Sequence, residues 1–169
     1  NGVPETALQF TDGDFVDLGT YSSLFGLCDF SASIWYKADN EQGSGCCNML
    51  WSSGFDQWGL NLRTWEPQHL ALFGGLQCVQ EDATTLEGPL YDTWNHVVCV
   101  LNNGEGMIWL NGNLVASEPN MNCVCEHSTA MFLGSMDGYP HHYTGFLDDF
   151  GVWTRALTEA EVMALYTET

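Results

Sequence analysis

The chain has 169 residues, 45% of them hydrophobic and 13% aromatic, enough apolar material to bury a core without a metal or disulfides replacing it. Three Lys and Arg stand against 22 Asp and Glu, a formal net charge of −19. A phosphate backbone or an anionic bilayer is repelled by such a surface, so no nucleic acid is expected as partner, and with no long apolar span no membrane insertion is expected either.

From the start, short β-like runs alternate with turn residues. Ala7 to Phe10 and Phe15 to Leu18 are apolar pieces separated by Thr11-Asp12-Gly13-Asp14, a tight-turn composition. Phe30 to Tyr36 alternates, with Phe30, Ala32, Ile34 and Tyr36 on one side and Ser31, Ser33 and Trp35 on the other. Met49 to Trp51, Trp58 to Leu62 and His69 to Phe73 are further strand candidates, bounded by Gly, Ser, Asp or Pro. Trp94 to Leu101 is a β-branched run suited to the middle of a sheet. Next, Met107 to Leu110 and Asn113 to Ala116 flank Asn111-Gly112. Asn-Gly accepts positive φ at both central positions, so this pair predicts a two-residue type I′ hairpin. Phe146 to Trp153 reads as the last strand. Thr158 then opens a helix, with Glu161 three residues on to complete a capping box. Val162, Leu165 and Tyr166 share one face of that helix and should pack on a sheet. No repeat, linker or composition break divides the chain, so one domain over 1–169 is expected.

Seven cysteines are many for a chain of this length, and none of them forms a C-x-x-C or zinc-ribbon spacing. Disulfides formed in an oxidising compartment are the expectation, and with them a secreted, extracellular protein. Seven is odd, so at least one thiol is unpaired within the chain. Cys99, inside the apolar run His96 to Leu101, is expected to be a buried, inert thiol. Cys28, Cys46, Cys47, Cys78, Cys123 and Cys125 remain as disulfide candidates, in pairings that spacing leaves open. The chain opens directly on Asn-Gly-Val-Pro and is read as mature protein; it carries no Asn-x-Ser/Thr acceptor for glycosylation.

Several segments, in this order, resemble the laminin-G-like jelly-roll family of the concanavalin-A-like lectin/glucanase superfamily. They are Ala7 to Phe10 with Asp14 to Gly19, Ser33-Ile34-Trp35-Tyr36-Lys37, Trp94-Asn95-His96-Val97-Val98 with the Asn-Gly hairpin, and the closing Gly145 to Thr158. The resemblance implies an all-β, two-sheet antiparallel jelly-roll sandwich with a short C-terminal helix, its first and last strands neighbours. It also implies a non-catalytic binding or adhesion module for glycans or extracellular proteins.

Many domains of that family hold one Ca²⁺ where the opening loop meets the closing strand. Here that region supplies Asp12, Asp14 and Asp148, beside Asp149. A hard cation takes such carboxylates together with carbonyls and water, although Asp148 and Asp149, adjacent on a strand, should not both ligate. Calcium is therefore the expected cofactor, in a structural role. For a sugar surface the candidates are Trp51, Trp58 and Trp65, each expected instead to pack in the core or between strands, and more so the loop Tyr139, Pro140, His141, His142 and Tyr143, which joins flat rings to hydrogen-bonding groups. No further metal ligands stand near His141-His142 at diagnostic spacing, and the expectation there is an exposed loop rather than zinc. Glycosidases of this architecture place two carboxylates at i and i+2 on one strand. Glu81-Asp82 and Asp148-Asp149 are instead adjacent pairs, and no nucleophile elbow is present, so no enzyme is expected. The alternative is a structural subunit that associates with copies of itself, disulfide-linked through Cys46-Cys47 or Cys123-Val124-Cys125.

Overall fold

A computed structural model describes residues 6–11, 13–21, 26–39, 47–53, 58–63, 69–74, 81–84, 91–121, 123, 130–135 and 142–168. In chain order these form β1 (Leu8–Phe10), β2 (Val16–Gly19), β3 (Asp29–Ala38), β4 (Cys47–Ser53), β5 (Trp58–Arg63), β6 (His69–Gly74) and β7 (Glu81–Thr84). There follow β8 (Asn95–Asn102), β9 (Glu105–Leu110), β10 (Asn113–Glu118), β11 (Met131–Leu133), β12 (Gly145–Trp153) and the helix α1 (Glu159–Glu168).

Two six-stranded sheets result, ordered β1-β12-β3-β8-β9-β10 and β2-β11-β4-β5-β6-β7. Every ladder between named strands is antiparallel. The first and last strands are neighbours, with Leu8 opposite Leu147 and Phe10 opposite Gly145. The expected jelly-roll sandwich with one short C-terminal helix is what the chain forms.

The alternation read in β3 sets the layers. Phe30, Ala32, Ile34, Tyr36 and Ala38 are buried and face the second sheet, where they meet Leu50, Trp51, Met131 and Leu133. On β8, Val97, Cys99 and Leu101 point the same way. The opposite faces of these strands are buried for another reason. Val98 and Val100 form a second apolar cluster with Leu157 and Val162, because α1 lies across the outside of the first sheet. Fully burying each such side chain contributes roughly 1.5–3 kcal/mol.

The helix begins where its capping box says. Thr158 N and Oγ1 each donate to Glu161 Oε2 at 2.9 Å, and Glu161 N returns a bond to Thr158 Oγ1 at 3.4 Å. Arg155 grips the same carboxylate at 2.9 and 2.6 Å. The guanidinium, ahead of the Thr158 bonds, pulls the Glu161 carboxyl down to about 2. Ser31, buried on β3, donates to the Arg155 carbonyl and accepts from Leu157 N, both at 3.0 Å, so the approach to the helix is tied to the sheet.

Asn111-Gly112 closes the expected hairpin, with φ of 50° and 78° and Asn113 opposite Leu110. Asn103-Gly104 closes a second one, with φ of 48° and 85° and Asn102 opposite Glu105. It carries the same dipeptide signal, which the strand pattern around it did not bring out. Two strands also went unread. β7, Glu-Asp-Ala-Thr, has no apolar alternation; among the described residues it is an edge strand paired to β6. β11 is three apolar residues, too short for a period, and gains its strand character from β2 and β4 on either side.

Of the cysteines, Cys28 and Cys123 form a disulfide across 95 residues of chain. Cys99 is the buried free thiol expected, and burial pushes its pKa up, so it stays protonated and inert. Cys46, Cys78 and Cys125 lie outside the described residues; Cys47 is on β4, and its side chain is outside them too.

Candidate functional site

Thr11 to Asp17 carries the chain from β1 in one sheet to β2 in the other, at the rim of the sandwich. Asp14 closes the turn on itself: its N donates to the Thr11 carbonyl at 2.9 Å, while its Oδ2 accepts from Thr11 N at 2.8 Å and from Thr11 Oγ1 at 2.6 Å. Gly13 supplies the positive φ, 96°. These bonds, chiefly the Thr11 hydroxyl, hold the Asp14 carboxyl below its usual range, and the nearby His142 adds a small pull in the same direction. Asp14 and His142, selected from separate parts of the sequence, are therefore brought to one place.

Gly134, at the end of β11, seats this turn. A Cβ there would lie 2.4 Å from the Phe10 ring and 3.4 Å from the Asp14 carbonyl, and its φ is +75°. Tyr143 N donates to the Gly134 carbonyl at 2.9 Å, which fixes the chain beside His142. Next to the turn, Phe15 meets Phe132 edge to face, with centroids 5.8 Å apart and planes at 70°. Phe15 keeps 55% of its surface in solvent. Asp17 Oδ1, one strand residue on, accepts from Gly19 N at 2.8 Å. The corner thus presents an exposed aromatic ring, carboxylates braced by their own turn, and a half-buried imidazole.

One sequence expectation needs correction. Tyr143 is no contact residue: it is wholly buried, packs edge-on against Phe10 at 6.2 Å, and donates its hydroxyl to the Phe146 carbonyl at 3.2 Å. Aromatic content in the loop was a sound cue, but this ring is consumed by the core. Trp51 packs in the core against Phe30 and Phe150, the reading favoured for it from sequence. Tyr139 and His141 lie outside the described residues, as does Trp65, and the Trp58 side chain is outside them as well.

Of the expected calcium set, Asp14 and Asp148 lie in different parts of the fold. Asp148 is paired with Trp35 on the outer face of the first sheet, three residues along β12 from Gly145, where the opening turn departs. That is roughly 10 Å of strand. Its Oδ1 accepts from Asp149 N at 2.9 Å, at a bulge where Asp149 has a φ of 48°. Asp14 has one oxygen committed to Thr11. Among the described residues no three His, Cys, Asp or Glu side chains converge as a metal site, and Asp12 is outside them. Strand register carries Asp148 along β12, away from the turn that holds Asp14.

A laminin-G-type family model described as the concanavalin A-like lectin/glucanases superfamily matches residues 10–163. The chain belongs to that superfamily. Among curated protein sequences none matches it. Three solved structures show how widely this lectin-superfamily fold is shared. Domain 4 of AbnA, a GH43 extracellular arabinanase from Geobacillus stearothermophilus solved with arabinotriose, is similar with a TM-score of 0.77 at 21% identity, over 95% of this chain and 76% of that one. A putative carbohydrate-binding protein from Bacteroides ovatus gives 0.75 at 16% identity, over 93% and 45%. The CBM40 of Ruminococcus gnavus IT-sialidase, bound to α2,3 sialyllactose, gives 0.74 at 15% identity, over 95% and 96%. At these identities the likeness establishes the fold, and the residues that touch ligand must be argued from this chain alone.

Proposed function

We propose that the chain is a secreted, non-catalytic glycan-binding module, and that its rim corner of Phe15, Asp14, Asp17 and His142 holds the sugar. The observation that carries this reading is the Phe15 ring, braced by Phe132 yet more than half exposed beside hydrogen-bonding carboxylates and an imidazole. A sugar ring needs such a combination, an apolar face for its C–H surface and polar groups for its hydroxyls. Preorganisation supports it further: the Asp14 turn is fixed before any ligand arrives, so little ordering cost falls on binding. The glycan ligands seen with structural relatives and the Cys28–Cys123 disulfide are in keeping with an extracellular binding role.

Non-catalysis is part of the same proposal. The carboxylates of β12 are adjacent at a bulge, Asp148 accepting from Asp149 N, and are not the i, i+2 pair on one strand face that such glycosidases use. A glycan array with the intact chain tests the reading: sugar binding lost in Phe15→Ala supports it, and an array on which nothing binds rejects it. Release of reducing ends from bound glycans would remove the non-catalytic part. A structural calcium enters the proposal only through Asp12 and Asp14; an unchanged melting temperature in chelator would eliminate it. Electrophoresis without reductant addresses the assembly alternative, for which a ladder collapsing on reduction is the expected sign.

A further inference from the structure

On the outer face of the first sheet, register places four side chains in one row. Gln9 is opposite Phe146, Phe146 opposite Lys37, and Trp94 continues β8 beside Lys37, one residue before the Tyr36–Asn95 pair. The Trp94 and Phe146 rings lie 6.4 Å apart, inclined by 54°. Lys37 holds its Nζ 5.9 Å from the Phe146 centroid. Trp94 is 38% exposed, Gln9 is exposed, and Phe146 and Lys37 are half-buried. The next row is closed over by the helix, where Tyr166 stacks on Trp35 at 5.9 Å and on His96 at 6.1 Å. The aromatic face of the sheet therefore continues past the helix into solvent at Trp94 and Phe146. Folding alone favours a polar residue at the solvent side of such a strand.

We infer that this row is a second glycan platform, on the outer face of the first sheet beside the β1 end from which the rim turn departs, and that it takes uncharged sugar chains. The inference deepens the glycan-binding reading and rests on it. Trp94 and Phe146 offer apolar ring surface for sugar C–H faces. Lys37 brings ammonium donors, Gln9 an amide that both donates and accepts, and half-buried Asp148 in the adjoining row an acceptor. The cation over Phe146 is oriented by the ring and so arrives preorganised. Charge selects the class of ligand. With 22 acidic residues against three basic ones, the field of the whole chain repels uronate or sulfate-bearing polymers, whereas a neutral chain meets no such barrier.

The experiment is a calorimetric titration of the full chain with oligosaccharides of arabinan, β-glucan and mannan, and with polygalacturonate for comparison, at low and high salt. The expected result is two binding events for a neutral oligosaccharide, with affinities that change less than about twofold with salt, since the contact is not ionic. Trp94→Ala should weaken one event by about tenfold, and Lys37→Met, which keeps the aliphatic stem, by a smaller factor. Leu114→Ser, which alters an exposed apolar residue outside both sites, should leave both events as they are. Loss of all binding in Phe15→Ala, with Trp94→Ala indistinguishable from the parent, would overturn the second platform and spare the rim corner. Preference for polygalacturonate through Lys37 would overturn the uncharged class. Binding of no oligosaccharide would bring down the platform and the glycan reading together.

Discussion

Replacing Tyr143 by Phe leaves the ring against Phe10 and removes only the hydroxyl that donates to the Phe146 carbonyl. A cost of about 1–2 kcal/mol in urea unfolding is expected, because a partly buried carbonyl loses a donor. At His96 the physics is burial. The imidazole lies beside Trp35 and under Tyr166, with Nε2 2.7 Å from Ser33 Oγ, and desolvation lowers its pKa from 6.5 to about 4. The neutral ring is favoured in the fold, so the unfolded chain binds the proton first as pH falls. Stability from this residue is whole above pH ~6.5, declines through the interval between 6.5 and about 4, and is gone below it. The loss amounts to roughly 3 kcal/mol. Urea midpoints at several pH values will show it, and a His96→Gln variant should flatten that part of the profile.

Between residues and sheets stand the turns and caps, and two of them depend on single side chains. Asn111 holds a φ of 50°, donates from Nδ2 to Asn95 Oδ1 at 3.0 Å, and accepts at Oδ1 from His96 N at 2.9 Å. Asn111→Ala removes both bonds and the residue type that tolerates the left-handed backbone, for an expected cost of about 2–3 kcal/mol in thermal or urea unfolding. Gly134→Ala should be worse than a simple loop substitution. Its Cβ would strike the Phe10 ring, so the turn holding Asp14 has to move. Weakened sugar binding along with lowered stability is expected, while Gly13→Ala, where a Cβ has open space, should pay only for its positive φ. How legible were these elements? The Asn-Gly turn and the Thr158–Glu161 box are local chemistry, and reading the residues was enough. β7 and β11 are strands through their neighbours, which a local pattern does not contain.

Across the whole molecule, the Cys28–Cys123 bridge closes 95 residues and so constrains most of the unfolded chain. Its removal by Cys28→Ser with Cys123→Ser should cost about 4–5 kcal/mol in a chain-entropy account, measurable as a lower urea midpoint. The sequence by itself determined the alternation of β3, the β-branched run of β8 and the closing helix, because side-chain period is a property of neighbouring residues; the two-sheet sandwich was what the resemblance to laminin-G-like jelly rolls implied. It also determined that Cys99 is buried, from the apolar run around it. Tertiary structure decided which functional residues meet. Asp14 and His142 converge because Gly134 seats the turn beside the chain leading to β12, whereas Asp148 is carried away from them by strand register. Tyr143 passes from surface to core on the same account, and Phe15, unremarked as a contact residue in the sequence, is left in solvent against Phe132. Convergence of distant side chains depends on pairing register and on what covers each face, and neither is encoded in the spacing of residues along the chain.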